Sequence, residues 1–87
     1  MIWKIEWLDS ARKELRKLDQ ATQKDILFYL RDKIATEEDP RRFGKGLKGT
    51  LKGLWRYRIE KYRIVCRILD EVLTVLVVRV AQRSKAY

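Results

Sequence analysis

Hydrophobic and polar residues alternate from Ile2 to Trp7, with Trp3, Ile5 and Trp7 on one side and Ile2, Lys4 and Glu6 on the other. This period of two predicts a short strand, with both tryptophans in the core. The period then lengthens. Ala11, Leu15 and Leu18 recur at helical spacing, and Asp9 stands where an N-cap is expected. Asp19 can cap a second helix reaching about Ala35, whose stripe is Ile26, Leu27, Leu30 and Ile34. With only a residue or two between them, the helices should form an antiparallel hairpin whose stripes bury against the rest of the chain. Thr36 to Lys52 shows no sustained period. It holds Glu37-Glu38-Asp39-Pro40 and then Gly44, Gly46 and Gly49 among lysines, and reads as loop.

The remainder is rich in β-branched and aromatic residues. Leu54 to Ile59, Tyr62 to Leu69 and Val72 to Val80 read as strands joined at Glu60-Lys61 and Asp70-Glu71. Connections this short require antiparallel neighbours, so residues 54–80 are expected to be a three-stranded meander. Its last strand is nearly continuously apolar and is expected to be central. Pairing about Glu60-Lys61 sets Ile59 opposite Tyr62, Tyr57 opposite Ile64, Arg58 opposite Arg63 and Arg56 opposite Val65. Trp55, Tyr57, Ile59, Tyr62, Ile64 and Cys66 then share the core face, and Arg56, Arg58, Arg63 and Arg67 share the other. A slip of one residue would bury the arginines, so the pattern enforces this register. The expected fold is a single α+β domain over residues 1–87. Its order is β-α-α-β-β-β, with the helical hairpin packed on a mainly antiparallel four-stranded sheet.

Charge sharpens the picture. Residues 41–67 carry ten of the 21 basic side chains and only one of the 12 acids, Glu60, so the whole net charge of +9 lies in this stretch. Four arginines on one sheet face repel one another unless an anion neutralises them, and the planar guanidinium suits phosphate. Such a concentration on a folded strand points to a polyanion, nucleic acid first of all. Lys45, Lys48 and Lys52, in the glycine-spaced loop, suit backbone-phosphate contacts with steep salt dependence, and Lys61 and Arg67 extend the same surface. The tail Ala81-Gln82-Arg83-Ser84-Lys85-Ala86-Tyr87 adds an arginine and an aromatic ring on which an unstacked base can lie.

Composition then narrows the chemistry. The chain has no histidine and one cysteine, which removes His-based triads and the usual ligands of zinc; no metal or cofactor is expected. Cys66 falls within the apolar set of its strand and is expected to be a buried structural thiol. No apolar run approaches the ~20 residues of a membrane span, and the N-terminus lacks the layout of a signal peptide, so a cytoplasmic protein is expected.

The stretch Leu47-Lys-Gly-Thr-Leu-Lys-Gly-Leu-Trp-Arg-Tyr-Arg-Ile59, then Lys61-Tyr-Arg-Ile-Val65, then Val80-Ala-Gln-Arg83 and the closing Tyr87 resemble the RelE/ParE toxin superfamily, its RelE branch in particular. The resemblance spans nearly the whole chain and lies in the spaced set rather than in any one piece. It implies a toxin of a toxin-antitoxin pair that enters the ribosomal A site and cleaves mRNA, with a cognate antitoxin covering the site in a hetero-oligomer. Carried over by position, Arg56 and Arg58 match the basic pair of the family's second strand and Arg63 the arginine opening the third. Arg83 matches the arginine after the last strand, and Tyr87 the closing tyrosine. The implied reaction is attack of a ribose 2′-hydroxyl on the adjacent phosphate, leaving a 2′,3′-cyclic phosphate and a free 5′-hydroxyl. Arg58 and Arg63 would stabilise the phosphorane, Tyr87 would stack on a base, and Arg83 would sit near the leaving oxygen.

The chain departs from the branch in having arginines where lysines stand on the second strand and Gln82 where many relatives have histidine. A crowded lysine can lose a proton, whereas arginine stays charged at any accessible pH. The general base is therefore open among Glu60, Lys52 and Lys61, or absent. The resemblance leaves two further readings: a poison of DNA gyrase of the ParE type, which generally lacks the Arg58, Arg63, Arg83 and Tyr87 set, and a non-catalytic RNA- or antitoxin-binding member of the fold.

Overall fold

The computed structural model of the chain describes residues 2–85. Strand β1 (Lys4–Trp7) leads into helix α1 (Asp9–Arg16) and helix α2 (Gln20–Tyr29), and α2 runs on through a wider π-helical turn at Leu30–Ile34. Short 3₁₀ turns at Pro40–Arg42 and Gly49–Leu51 bracket strand β2 (Lys45–Gly46). Strands β3 (Trp55–Ile59), β4 (Tyr62–Leu69) and β5 (Thr74–Gln82) follow, with 3₁₀ turns at Asp70–Val72 and Arg83–Lys85. The sheet has five strands in the order β1-β5-β4-β3-β2. Every pair is antiparallel except β1 with β5, which run parallel with Lys4 opposite Thr74 and Trp7 opposite Val77.

The helices start close to where the pattern placed them. Asp19 caps α2, its side chain accepting from the Thr22 backbone N–H. Asp9 is already inside the first turn of α1, and the capping position falls to Leu8. An acid in that first turn still meets the positive end of the helix. The stripes Ala11, Leu15, Ile26, Leu30 and Ile34 pack on Trp3, Tyr57, Ile59, Tyr62, Ile64, Cys66, Val75, Val77 and Val80 as one core, with Ile5 and Trp7 against its margin. Cys66 is fully buried, and burial pushes its thiol pKa up.

Three expectations need correction. The segment Thr36 to Lys52 is more than loop: Lys45 and Gly46 pair with Arg56 and Trp55, adding a fifth strand. Two residues are too few to show a period, so the sequence carried no sign of it. The last strand begins and ends two residues later than the pattern suggested, because Val72 closes the turn and Leu73 takes a left-handed conformation (φ 46°). The strand at the middle of the sheet is β4, with β5 inside it between β4 and β1. Having partners on both edges explains the near-continuous apolar run of β5.

One irregularity matters for the surface. The β4–β5 register steps between Val65 opposite Arg79 and Cys66 opposite Val77, which leaves Val78 as a bulge. The bulge lets both Val77 and Val80 face the core while Arg79 turns out. Past Trp7 the edge of β5 has no strand partner among the described residues, and there Glu14 of α1 accepts the Val80 backbone N–H at 2.8 Å and meets Arg79 Nε at 3.7 Å. A carboxylate thus closes a stretch of open sheet edge.

Candidate nucleic-acid interface

The register on the outer face is the one the alternation demanded. Arg56 lies opposite Val65 and Arg58 opposite Arg63, and the rows continue to Lys45 on β2 and to Arg79 and Ala81 on β5. Side chains directly opposite across such a ladder stand about 5 Å apart, and like charges there destabilise the pair. Val65 is 4% exposed although it lies on the face opposite the core cluster. Arg56 and Arg79 flank it across the strands and Arg63 and Arg67 flank it along β4, and the Nε atoms of Arg56 and Arg63 are themselves buried. The arginine face is thereby a packed layer.

Arg83 joins this layer through the backbone. Its N–H donates to the Lys61 carbonyl at 2.9 Å, one step beyond the Tyr62–Gln82 pair. The first tail residue is in this way tied to the β3–β4 turn, and Lys61, Arg63, Gln82, Arg83 and Ser84 line an open recess of about 410 Å³. Glu60, at the apex of the same turn, holds φ at 54°, a conformation few non-glycine residues adopt. Of the three residues considered as general base, Lys61 is the one that lines the recess, its Nζ also lying 5.9 Å from the Tyr62 ring centroid.

On the other flank, Arg56 and Arg58 line a second recess of about 270 Å³ with Lys45, Gly44 and Tyr29. Sequence reasoning missed Gly44 and Tyr29. Gly44 has φ +77°, and a Cβ there would stand 2.3 Å from the Arg56 carbonyl oxygen, so only glycine lets the chain cross β3 so closely. Tyr29 belongs to α2 but its ring meets Phe43 and Tyr57, a contact that no linear pattern displays.

The remaining basic residues divide. Lys48 and Lys52 flank the Gly49–Leu51 turn and are exposed, and Arg67 is exposed opposite Leu76. All three lie outside the two recesses. Arg41 is a structural pin: its guanidinium donates to both carboxylate oxygens of Asp70, at 2.9 and 2.7 Å, tying the 40s segment to the β4–β5 turn. That pair holds the Asp70 carboxyl below its ordinary pKa. Arg42 lies over the Phe43 ring at 4.8 Å. Tyr87 lies outside the described residues. A larger recess of about 570 Å³ sits between β1 and α2 and is walled by Ile5, Trp7, Leu27 and Phe28. Its apolar walls suit a protein segment better than phosphate. Among the described residues, no helix is long and apolar enough to cross a membrane.

Comparison with known proteins agrees with this arrangement. Residues 5–87 match the family of ParE toxins of the type II toxin-antitoxin system parDE. The toxin RelG of Mycobacterium tuberculosis is 31% identical over 87 residues, all of this chain and 98% of that protein. A chain in the crystal structure of the toxin-antitoxin complex RelBE2 from the same organism superposes with a TM-score of 0.86 at 28% identity. That match covers 98% of this chain and 95% of the other. The archaeal RelE–RelB complex from Pyrococcus horikoshii contains the same fold, with a TM-score of 0.73 at 23% identity over 99% of this chain and 100% of that one. Fold, arginine face and family match converge, and the chain belongs to the RelE/ParE superfamily of toxins of toxin-antitoxin systems.

Proposed function

We propose that this toxin is an endoribonuclease that cleaves mRNA in the ribosomal A site. The observation that carries the reading is the pairing of Arg58 with Arg63 across β3 and β4, together with the recess that Arg63 shares with Arg83, whose N–H is bonded to the Lys61 carbonyl. Arginines pressed together on a packed face are arranged for an anion more negative than a single phosphodiester, as a phosphorane is. In the reaction the ribose 2′-oxygen forms a bond to phosphorus as the bond to the 5′-oxygen breaks. The 2′ proton leaves to water in the open recess, and the departing 5′-oxygen takes up a proton from solvent. Arg56, Arg58 and Arg63 stabilise the charge on the equatorial oxygens, Arg83 stands by the leaving oxygen, and Tyr87 stacks on a base. Lys45, Lys48, Lys52, Lys61 and Arg67 supply further contacts to RNA backbone.

The partner that silences it is a cognate antitoxin. The similar RelBE2 structure is a toxin-antitoxin complex, and an acidic segment lying over Arg63 and Arg83 would neutralise the face. The apolar recess between β1 and α2 offers that partner a hydrophobic anchor. The cytoplasm, where ribosomes translate, is the matching compartment.

Primer extension on mRNA in a purified translation system tests the reading, with wild type, Arg83→Ala and Tyr87→Ala, each with and without ribosomes. Ribosome-dependent cuts within the A-site codon, lost in both variants, are expected. The matching family model is that of ParE toxins, so gyrase supercoiling is assayed alongside. Inhibition of supercoiling with no RNA cut overturns the nuclease in favour of gyrase poisoning. Neither effect means a binding member without catalysis.

A further inference from the structure

Strand β5 outlasts its neighbour β1. Their parallel pairing ends with Trp7 opposite Val77, and the Leu8 N–H, donating to the Val77 carbonyl at 3.0 Å, closes it as the chain turns into α1. Beyond the bulge at Val78, β5 keeps β4 on one side, with Arg79 opposite Val65 and Gln82 opposite Tyr62. On the other side it has no strand among the described residues, and the Val80 N–H is directed at that open edge. Val80 is buried, so leaving this donor unpaired would be costly.

Glu14 supplies the partner. One carboxylate oxygen accepts the Val80 N–H at 2.8 Å and the other lies 3.7 Å from Arg79 Nε. A single side chain thus grips two consecutive residues of β5 from a helix 66 residues earlier in the chain. The helix is a firm anchor, because Ala11 and Leu15 on the same element are buried in the core. The strand held in this way runs straight on to Arg83, whose N–H donates to the Lys61 carbonyl at 2.9 Å. Arg83 stands at the tip of that segment, and strand ends that lack partners on one edge open first.

We propose that Glu14 is a positioning residue for Arg83: by tethering Val80 and Arg79 to α1 it holds the end of β5 still and so fixes where the Arg83 guanidinium meets RNA. For its effect on catalysis the inference rests on the RNA-cleaving reading and deepens it, whereas the tether itself does not depend on that reading. Arg83 acts on charge that develops at the leaving oxygen, so a wandering tip weakens the transition state more than the bound substrate. A misplacement of about 1 Å near the reacting atoms can cost on the order of a hundredfold in rate.

Three substitutions test the tether. Glu14→Gln retains an oxygen that accepts the Val80 N–H, Glu14→Ala removes it, and Glu14→Asp is a methylene too short to reach. Amide hydrogen exchange of the free toxin, followed by NMR, compares Val80 and Arg83 with Val75 and Val77, in the half of β5 that pairs with β1. Single-turnover cleavage of mRNA on programmed ribosomes, with toxin in excess, separates the saturated rate from the half-saturating concentration. Glu14→Ala and Glu14→Asp should speed exchange at Val80 and Arg83 by about tenfold or more and leave Val75 and Val77 as in wild type. The saturated rate should fall about tenfold, with the half-saturating concentration within about twofold of wild type. Glu14→Gln should restore both exchange and rate to within about threefold. If Glu14→Ala does not fold, Glu14→Asp carries the same comparison. Unchanged exchange at Arg83 overturns the proposal, as does uniform acceleration along β5, the mark of a general stabiliser. A loosened Arg83 with an unchanged cleavage rate overturns it too. If wild type cuts no RNA, primer extension has refuted the nuclease reading, and amide exchange still decides whether Glu14 holds Arg83 in place.

Discussion

Replacing Tyr57 by Phe removes one oxygen atom from the centre of the molecule. The ring is fully buried and its hydroxyl donates to the Pro40 carbonyl at 2.8 Å. Burial raises the phenol pKa, so the hydroxyl remains a donor across the working pH range. Phe fills nearly the same volume, so the transfer and cavity contributions are small. What is lost is the hydrogen bond with the carbonyl left buried and unsatisfied, a cost of about 1–3 kcal/mol. Pro40 is itself buried and water has no ready route to that carbonyl, so about 2 kcal/mol is expected. For a domain of this size each 1 kcal/mol moves Tm by roughly 4–8 °C, which gives a drop on the order of 10 °C. Urea unfolding followed by tryptophan fluorescence measures the same quantity as a lower midpoint at unchanged slope. A fall in Tm of less than about 3 °C would refute the argument that this bond clamps the 40s segment, since that is below the shift expected for even 1 kcal/mol.

Two further outcomes follow from the same geometry. Gly44→Ala places a Cβ against the Arg56 carbonyl in a left-handed conformation; strain and overpacking together should cost at least about 3 kcal/mol, read as loss of soluble folded protein or a collapse of the urea midpoint. Asp70 has its folded pKa lowered by Arg41 from an ordinary value of 3.8. The pair's contribution is therefore fully present above that value and is lost as pH falls through the folded pKa. In Asp70→Asn the acid limb of a stability profile between pH 5 and 2 should be shallower than in wild type, and an unchanged limb would rule this pair out as its source.

The legible parts of the molecule were those governed by local periodicity. The register of β3 on β4 follows from alternation and a two-residue turn alone, because any slip would bury cationic heads. Alternation alone therefore places Arg56, Arg58 and Arg63 on the outer face. Lys48 and Arg67 share the charge of the site residues but lie outside both recesses, since composition reports charge without position. Arg41 belongs to the same basic run and proves to be a pin to Asp70, 29 residues away in sequence. Gly44 and Tyr29 were invisible for a related reason: each acts through a partner distant in the chain.

The amino-acid order by itself therefore determined the two helices, the four longer strands, the two-faced sheet and the surplus of positive charge on one face, because each arises from side-chain spacing along a regular backbone. Tertiary structure decided what long-range closure alone can decide. It paired β1 parallel to β5, added β2 at the far edge, shifted β5 by a bulge so that Glu14 could seal its open end, and tied Arg83 to Lys61. These contacts join segments tens of residues apart, and their free energy depends on how the whole core packs rather than on any neighbour in the sequence.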